Sequence, residues 1–402
     1  MEQPDISASL RKWKEQLESD SRNPVYLKNI QWEPAEGITL DPVYDAGSLG
    51  PEHAYLTEFH SYWKSCRPDF RPVLKASSLP AIALSPADIA ESEKLGFIAW
   101  VGPSITSGHA LPLETPFSGD PITRSLQTGK ITASLQALMQ GEIPETLEIN
   151  ATAFHHAGAG PAEDLAYCLS LAAHYQDLTG ASFSNLAGSL VLHLSTGTSM
   201  FLEIARLRAM RLLWMNFTSR CGLEKQAGFI QAESSLREWS RTDPDSNLLR
   251  HTASAMAGIL GSADSILIHP HTLEKNLSMD AIRQSVNLGH LALEEAGLAA
   301  SFDPGAGSYL IEVLTHQLSK KAWELFCDWQ LIPLEDKLRS GFFVRLAESG
   351  AEKLKTEFSA GKRILTGVNK HPSPLSRPCP AWPADVVKAG EFPALSPVFL
   401  DA

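Results

Sequence analysis

Cysteine is scarce in this chain and its spacing is uninformative. Cys66, Cys168, Cys221, Cys327 and Cys379 are scattered over 402 residues without a CxxC pair. That excludes a disulfide framework and predicts reduced thiols packed as small apolar groups. Long apolar runs are missing too. None approaches the roughly 18 residues a membrane-spanning helix needs, and the first twenty residues are charged throughout, unlike a signal peptide. These absences predict a cytoplasmic protein with no membrane partner. Basic charge is in deficit: the net charge of -12 argues against nucleic acid or an anionic membrane as the main partner. There is no GxSxG nucleophile elbow, no Walker-type lysine loop, no internal repeat and no low-complexity run. At 44% hydrophobic content the chain still buries a large core, as one barrel with extensions or as two domains.

What is present is alternation. Residues 7–17 place Leu10, Trp13 and Leu17 at three- and four-residue steps, which predicts an amphipathic helix. Pro34, Gly37, Pro42 and Gly47 then deny long regular structure. Residues 1–49 thus read as an arm whose Trp13, Trp32 and Tyr44 need a surface to pack on, its own body or a partner's. From about Arg71, strand candidates (71–77, 81–85, 96–102) alternate with helices. The second half is cleaner. LEINAT (147–152), GSLVLHLST (188–196), FIQAES (229–234), DSILIHP (264–270) and AASFDP (299–304) each precede a helical pattern. Such cycles need right-handed crossovers and predict an α/β fold, a (β/α)8 barrel over residues 50–370. The tail 371–402 is Pro-rich and reads as extended chain. In the helix 201–217, Phe201, Ile204, Leu207, Met210, Leu213, Trp214 and Phe217 share a face that leaves out Arg206 and Arg220. In the next helix the expected stripe is Leu248, Leu249, Thr252, Met256, Ile259 and Leu260, with Ser246 as N-cap and a left-handed Gly261 at the end.

Barrel chemistry sits at the C-terminal ends of strands. That rule selects His155 and His156, then Ser195, Thr196 and Gly197, then Glu233, His269, His271 and Asp303. His269 and His271 form an HxH pair, which together with Asp303 defines a metal-hydrolase alternative. Such a site needs further ligands at intervening strand ends, and His290 and His316 fall in helical patterns instead, so no metal is expected. His155 and His156, being adjacent, do not both point into one site from a regular strand. The glycines of AGAGP (157–161) and PGAGS (304–308) do not fit a phosphate-binding turn.

Residue identity adds more. W-x-x-x-EGI at 32–38 is followed by P-x-Y at 42–44, and NATAFHHAGAGPAEDLAYCLSLAAHY spans a strand end and a helix. Beyond them lie SMFLEIARLRAMRLLW, DPGAGSYLIEVLT and ILTGVNK. In this order the motifs resemble the adenosylcobalamin-dependent methylmalonyl-CoA mutases, above all their small, non-catalytic subunit. The resemblance covers most of residues 10–45 and 147–370 and is poor over 50–141. It implies a barrel whose channel holds an acyl-CoA thioester in the catalytic chain, with cobalamin between that barrel and a further domain carrying a D-x-H-x-x-G ligand motif. His155 falls in register with the family's catalytic histidine. Phe154 and Glu295 fall at cofactor-facing positions, Phe154 where the family has tyrosine.

The departures are as telling. D-x-H-x-x-G is missing, R-Q-Y-A-G-F has no counterpart in 50–140, and QAESSLREWS (231–240) stands where the large subunit has H-x-Q-T-S-G-W-S-L-T. The expectation is therefore a small-subunit-like component that assembles with a catalytic large subunit as a heterodimer, or self-associates. Adenosylcobalamin is expected at the level of the complex and none bound by this chain alone, with His155, Phe154 and Glu295 as remnants. The first alternative is the substrate barrel of a split acyl-CoA mutase that recruits cobalamin on a separate chain.

Overall fold

The computed structural model describes residues 11–13, 15, 16, 19, 31–35, 38–56, 59, 120, 122 and 133–140. It also describes 147–372 apart from 181–182, 189, 225–226, 241–242 and 273–278. The strand candidates at 71–77, 81–85 and 96–102 and the tail from 373 lie outside the described residues. Residues 11–13, 15 and 16 are helical, as the spacing around Trp13 predicts.

An antiparallel ribbon, β1 (Trp32–Ala35) and β2 (Ile38–Leu40), opens the described fold. Two short 3-10 turns follow, Ala46–Ser48 and Pro51–His53. The first is capped by Asp45, whose carboxylate accepts from the Ser48 N–H at 3.1 Å. The main sheet is parallel, ordered β3 (Leu147–Asn150), β4 (Leu190–Thr196), β5 (Phe229–Ser234), β6 (Ser265–Leu267). Around and between the strands run α1 (Ala133–Met139), α2 (Thr152–Ala157), α3 (Pro161–Thr179), α4 (Phe183–Ala187), α5 (Met200–Arg220) and α6 (Pro244–Leu260). After β6 come α7 (Met279–His290), α8 (Tyr309–Gln330), α9 (Leu334–Ser340) and α10 (Phe342–Ser359). Strand order that never reverses is the order of a barrel wall, not of a doubly wound sheet. The fold class is α/β, and among the described residues the wall is a four-stranded arc.

Alternation along the strands sorts side chains by face. Thr196, Ala232 and Ile266 meet α6: Thr196 Oγ1 is 2.9 Å from Ser254 Oγ, and a Cβ on Gly258 would touch Ile266 and Ala232. This close approach corrects the expected stripe of α6. Ile259 is buried and Leu248 and Leu260 pack on the core as expected, but the helix also turns Asn247, His251, Ser254, Ala255 and Gly258 inward and leaves Leu249 70% exposed. Asp243, not Ser246, caps it, and Gly261 ends it at φ -77 with Ser262 taking the left-handed turn. The expected strand at 299–304 is a run of bends and turns. Asp303 sits there at φ 44, outside the extended region, with its carboxylate 2.8 Å from the Arg208 guanidinium.

Helix α5 departs further from its amphipathic reading. It packs against α3, α6 and α8, so Arg206, Arg208 and Arg211 are all fully buried while Phe201 is 51% exposed. Each guanidinium is matched. Arg206 donates to Glu203 and Asp164 at 2.8 Å each, and to the Ser195 carbonyl. Arg208 reaches Asp303, Glu312 and Thr315, and Arg211 reaches Asp264 and three carbonyls. Buried cations persist only when paired in this way.

Gly158, at φ +130, lets α2 cross α10 in backbone contact: a Cβ there would lie 2.3 Å from the Ala347 carbonyl oxygen. Ile38 and Leu40 are buried in the same core as the sheet, and the 3-10 turns lie on α8. The ribbon strand β2 and the 3-10 turns therefore pack on the chain's own body, while Trp13 is exposed.

Candidate functional site

The face of the sheet turned away from α6 is polar. It carries Glu148, His193, Ser195, Gln231, Glu233 and Ser265, with His269 two residues beyond β6, all buried. Parallel strands covered on both faces are normally apolar runs. Here Glu148 and Asn150 in LEIN, and His193 and Ser195 in LVLHLST, break that rule, a signal the sequence contained.

The charges form one row. His193 Nδ1 contacts Glu148, its Nε2 lies 2.9 Å from Glu233 Oε2, and His269 Nε2 lies 3.0 Å from Glu233 Oε1. Asn150 donates to Glu148 at 2.9 Å, and Gln231 Nε2 lies 3.3 Å from His193. Burial opposes charge on His193, but Glu148 and Glu233 overcome it and push its pKa up to about 10, an imidazolium at neutral pH. Burial likewise opposes charge on Glu233, and His269 and His193 override it, holding the carboxyl well below its ordinary range. His156 joins the polar face: its Nε2 accepts from the Leu236 N–H at 3.1 Å and lies 3.3 Å from Ser195 Oγ. Burial lowers its pKa to about 4, against the pull of Glu233.

His155 turns toward the helices instead. Its Nδ1 is 2.8 Å from Asp164 Oδ2 and its Nε2 is 3.1 Å from Ser235 Oγ. Burial first, then Arg237 and Arg206, hold it well below its ordinary pKa, so the ring is neutral. An ionised carboxylate only accepts, so the single ring proton sits on Nδ1 and is donated to Asp164. Ser235 then donates to Nε2 while accepting from the Arg237 N–H at 3.1 Å. The Arg237 guanidinium caps the carbonyls of His155 and Ala159.

The other sequence-selected residues are dispersed. Phe154 is fully buried, stacked on Tyr167 at 4.6 Å and edge-on to Phe343 at 5.8 Å. Glu295 is exposed at the end of a π turn, Leu291–Glu295, that continues α7. His269 belongs to the charge row, while Asp303 is held by Arg208 on α5. Among the described residues no group of three or more His, Cys, Asp or Glu is placed to hold a metal ion. Among them, too, no helix is long and apolar enough to cross a membrane. Sequence patterns missed Glu148, His193, Asp164, Ser235 and Arg237 as site residues, because their partners lie on other strands and helices.

The buried neutral histidines set the acid limb of stability. His155, His156, His174 and His251 all have pKa values depressed chiefly by burial, His156 and His174 to about 4. Stability they contribute is present above the unfolded value near pH 6.5 and is lost as pH falls toward the folded values. The urea midpoint is expected to drop steeply between about pH 6.5 and 4, by several kcal/mol in total. A flat midpoint over that window would contradict the placement of these rings.

Comparison with known proteins places the chain. The profile of a family described as Methylmalonyl-CoA mutase matches residues 122–389. The methylmalonyl-CoA mutase of Cereibacter sphaeroides is 29% identical over 262 residues, 60% of this chain and 36% of that protein. The methylmalonyl-CoA mutase small subunit of Streptomyces virginiae is 29% identical over 293 residues, 68% of this chain and 47% of that one. The small subunit of Porphyromonas gingivalis is 30% identical over 251 residues, 58% of this chain and 39% of that protein. The matches span from 36% to 47% of the length of these relatives.

Proposed function

We propose, starting from the fact that this chain belongs to the methylmalonyl-CoA mutase family, that it acts as a small, non-catalytic subunit. Its partner would be a larger, cobalamin-binding chain of the same family, and the complex would interconvert methylmalonyl-CoA and succinyl-CoA. The observation that carries this reading is the row Glu148, His193, Glu233 and His269 across the inner face of the sheet. A thioester threading a barrel needs that face free. Displacing His193 leaves Glu148 and Glu233 buried without the cation they share, at a cost of several kcal/mol, roughly 3–5 by the behaviour of other buried pairs.

The remaining chemistry supports the same role. A histidine that polarises a thioester carbonyl must offer an N–H, and that of His155 is already donated to Asp164. The ring of Phe154 is enclosed between Tyr167 and Phe343 and has no surface to lay against a corrin. Adenosylcobalamin is the cofactor the family uses, and in this reading the partner chain holds it. His155, Phe154 and Glu295 then act as remnants or packing residues. The arm 1–49 and the outer helices supply the subunit interface, and residues 50–370 form the barrel body.

Calorimetric titration of the isolated chain with methylmalonyl-CoA tests the reading. No saturable heat is expected. Micromolar binding at one site would overturn it and favour the split-mutase substrate barrel.

A further inference from the structure

A cavity of about 650 Å³ lies on the outer side of the helical layer, between α5, α8 and the segment carrying Tyr55 and Phe59. It touches the last third of α5, from Leu212 to Ser219, and none of the residues at the strand ends. Its walls are aromatic and apolar: Tyr55, Phe59, Met215 and Trp323. Its polar groups gather mostly on α8. Lys320 lines it beside the neutral ring of His316, and the Arg220 guanidinium lies over the Trp323 ring at 5.4 Å; the acids are Glu324 in the lining and Glu52 near His316.

The hydrogen bonding is set for an acceptor. Tyr55 Oη lies 2.8 Å from His316 Nδ1, and burial keeps this phenol protonated, pushed up to about 12. A protonated phenol either donates to Nδ1, which leaves the His316 Nε2–H free, or accepts from it, which leaves its own O–H free, so the pair offers one donor in either arrangement. The volume falls within the range of roughly 300–1,000 Å³ that small ligands occupy, and is too small for a docked helix.

We propose that this cavity binds a small amphipathic anion, an aromatic or medium-chain aliphatic body carrying one carboxylate, sulfonate or phosphate. Trp323 and Phe59 take the body, while Lys320, His316 and Arg220 meet the charge. This site is independent of the subunit role argued above.

The test is a fluorescence titration of the full chain with 8-anilinonaphthalene-1-sulfonate, with decanoate as competitor. Two variants change the cavity at exposed positions, Asn216→Trp to fill it and Lys320→Glu to reverse its charge. One saturable site is expected, displaced by decanoate, weakened roughly five-fold in Lys320→Glu by the lost attraction and absent in Asn216→Trp. Unsaturable dye binding, or equal affinity in wild type and both variants with unchanged near-ultraviolet dichroism, would overturn the proposal. Decanoate without effect, with dye binding blocked on subunit assembly, would assign the cavity to a partner's side chains and also overturn it.

Discussion

Arg208→Met is expected to lower the unfolding free energy by about 3–5 kcal/mol, a large part of the roughly 5–15 kcal/mol a domain possesses. Methionine replaces the volume of the side chain but not its charge. Asp303 and Glu312, 2% and 6% exposed, would be left as buried carboxylates without a cation, and Thr315 would lose its donor. Arg208 also lies over the Phe59 ring at 6.0 Å, so the loss would reach the segment that lines the outer cavity. The penalty comes from the orphaned carboxylates and not from a missing bond, so it is reversible by chemistry. The triple variant Arg208→Met, Asp303→Asn, Glu312→Gln should recover most of the loss in urea denaturation. A single variant within about 1 kcal/mol of wild type would mean that the carboxylates relax to water.

His193→Leu is expected to cost a similar amount, about 3–5 kcal/mol at pH 7, with a pH dependence of its own. In the wild type the folded pKa of His193 is raised to about 10. Its stabilisation is therefore fully present below the unfolded value near 6.5 and is lost as pH rises through 10. The leucine variant removes that alkaline loss and leaves Glu148 and Glu233 facing each other in a buried site. Two such carboxylates take up a proton more readily, so the deficit should shrink between pH 7 and 5. Double substitution of Glu148 and Glu233 by glutamine in the leucine background should restore stability at pH 7. A deficit that is constant with pH would indicate lost packing instead of an ionic row.

The elements were legible where apolar spacing alone decides structure. The strands at 147–150, 190–196 and 229–234 and the long helices α3, α5 and α8 follow from period-two and period-3.6 patterns. The misreadings share a physical origin. An arginine in a helix pattern reads as solvent-facing, yet Arg206 is buried because Asp164 and Glu203, on α3 and α5, meet it. Leu249 reads as core, yet α6 approaches the sheet too closely for leucine and selects Gly258 and Ser254. AASFDP reads as a strand, yet Asp303 answers to a cation 95 residues away in sequence. The site was partly legible: strand-end residues His155, Ser195, Glu233 and His269 do cluster near the strand ends. Which of them face inward, and that Glu148 and His193 complete a charge row, depends on strand pairing that no local window contains.

The most direct test of the non-catalytic role is a mutase assay with adenosylcobalamin on two samples. One is the isolated chain; the other is the tagged chain recovered with its bound partner from the native host. The account predicts succinyl-CoA formation only in the second sample, together with a larger cobalamin-binding member of the family. Turnover by the isolated chain would contradict it, as would a chain that comes out alone and binds no such partner.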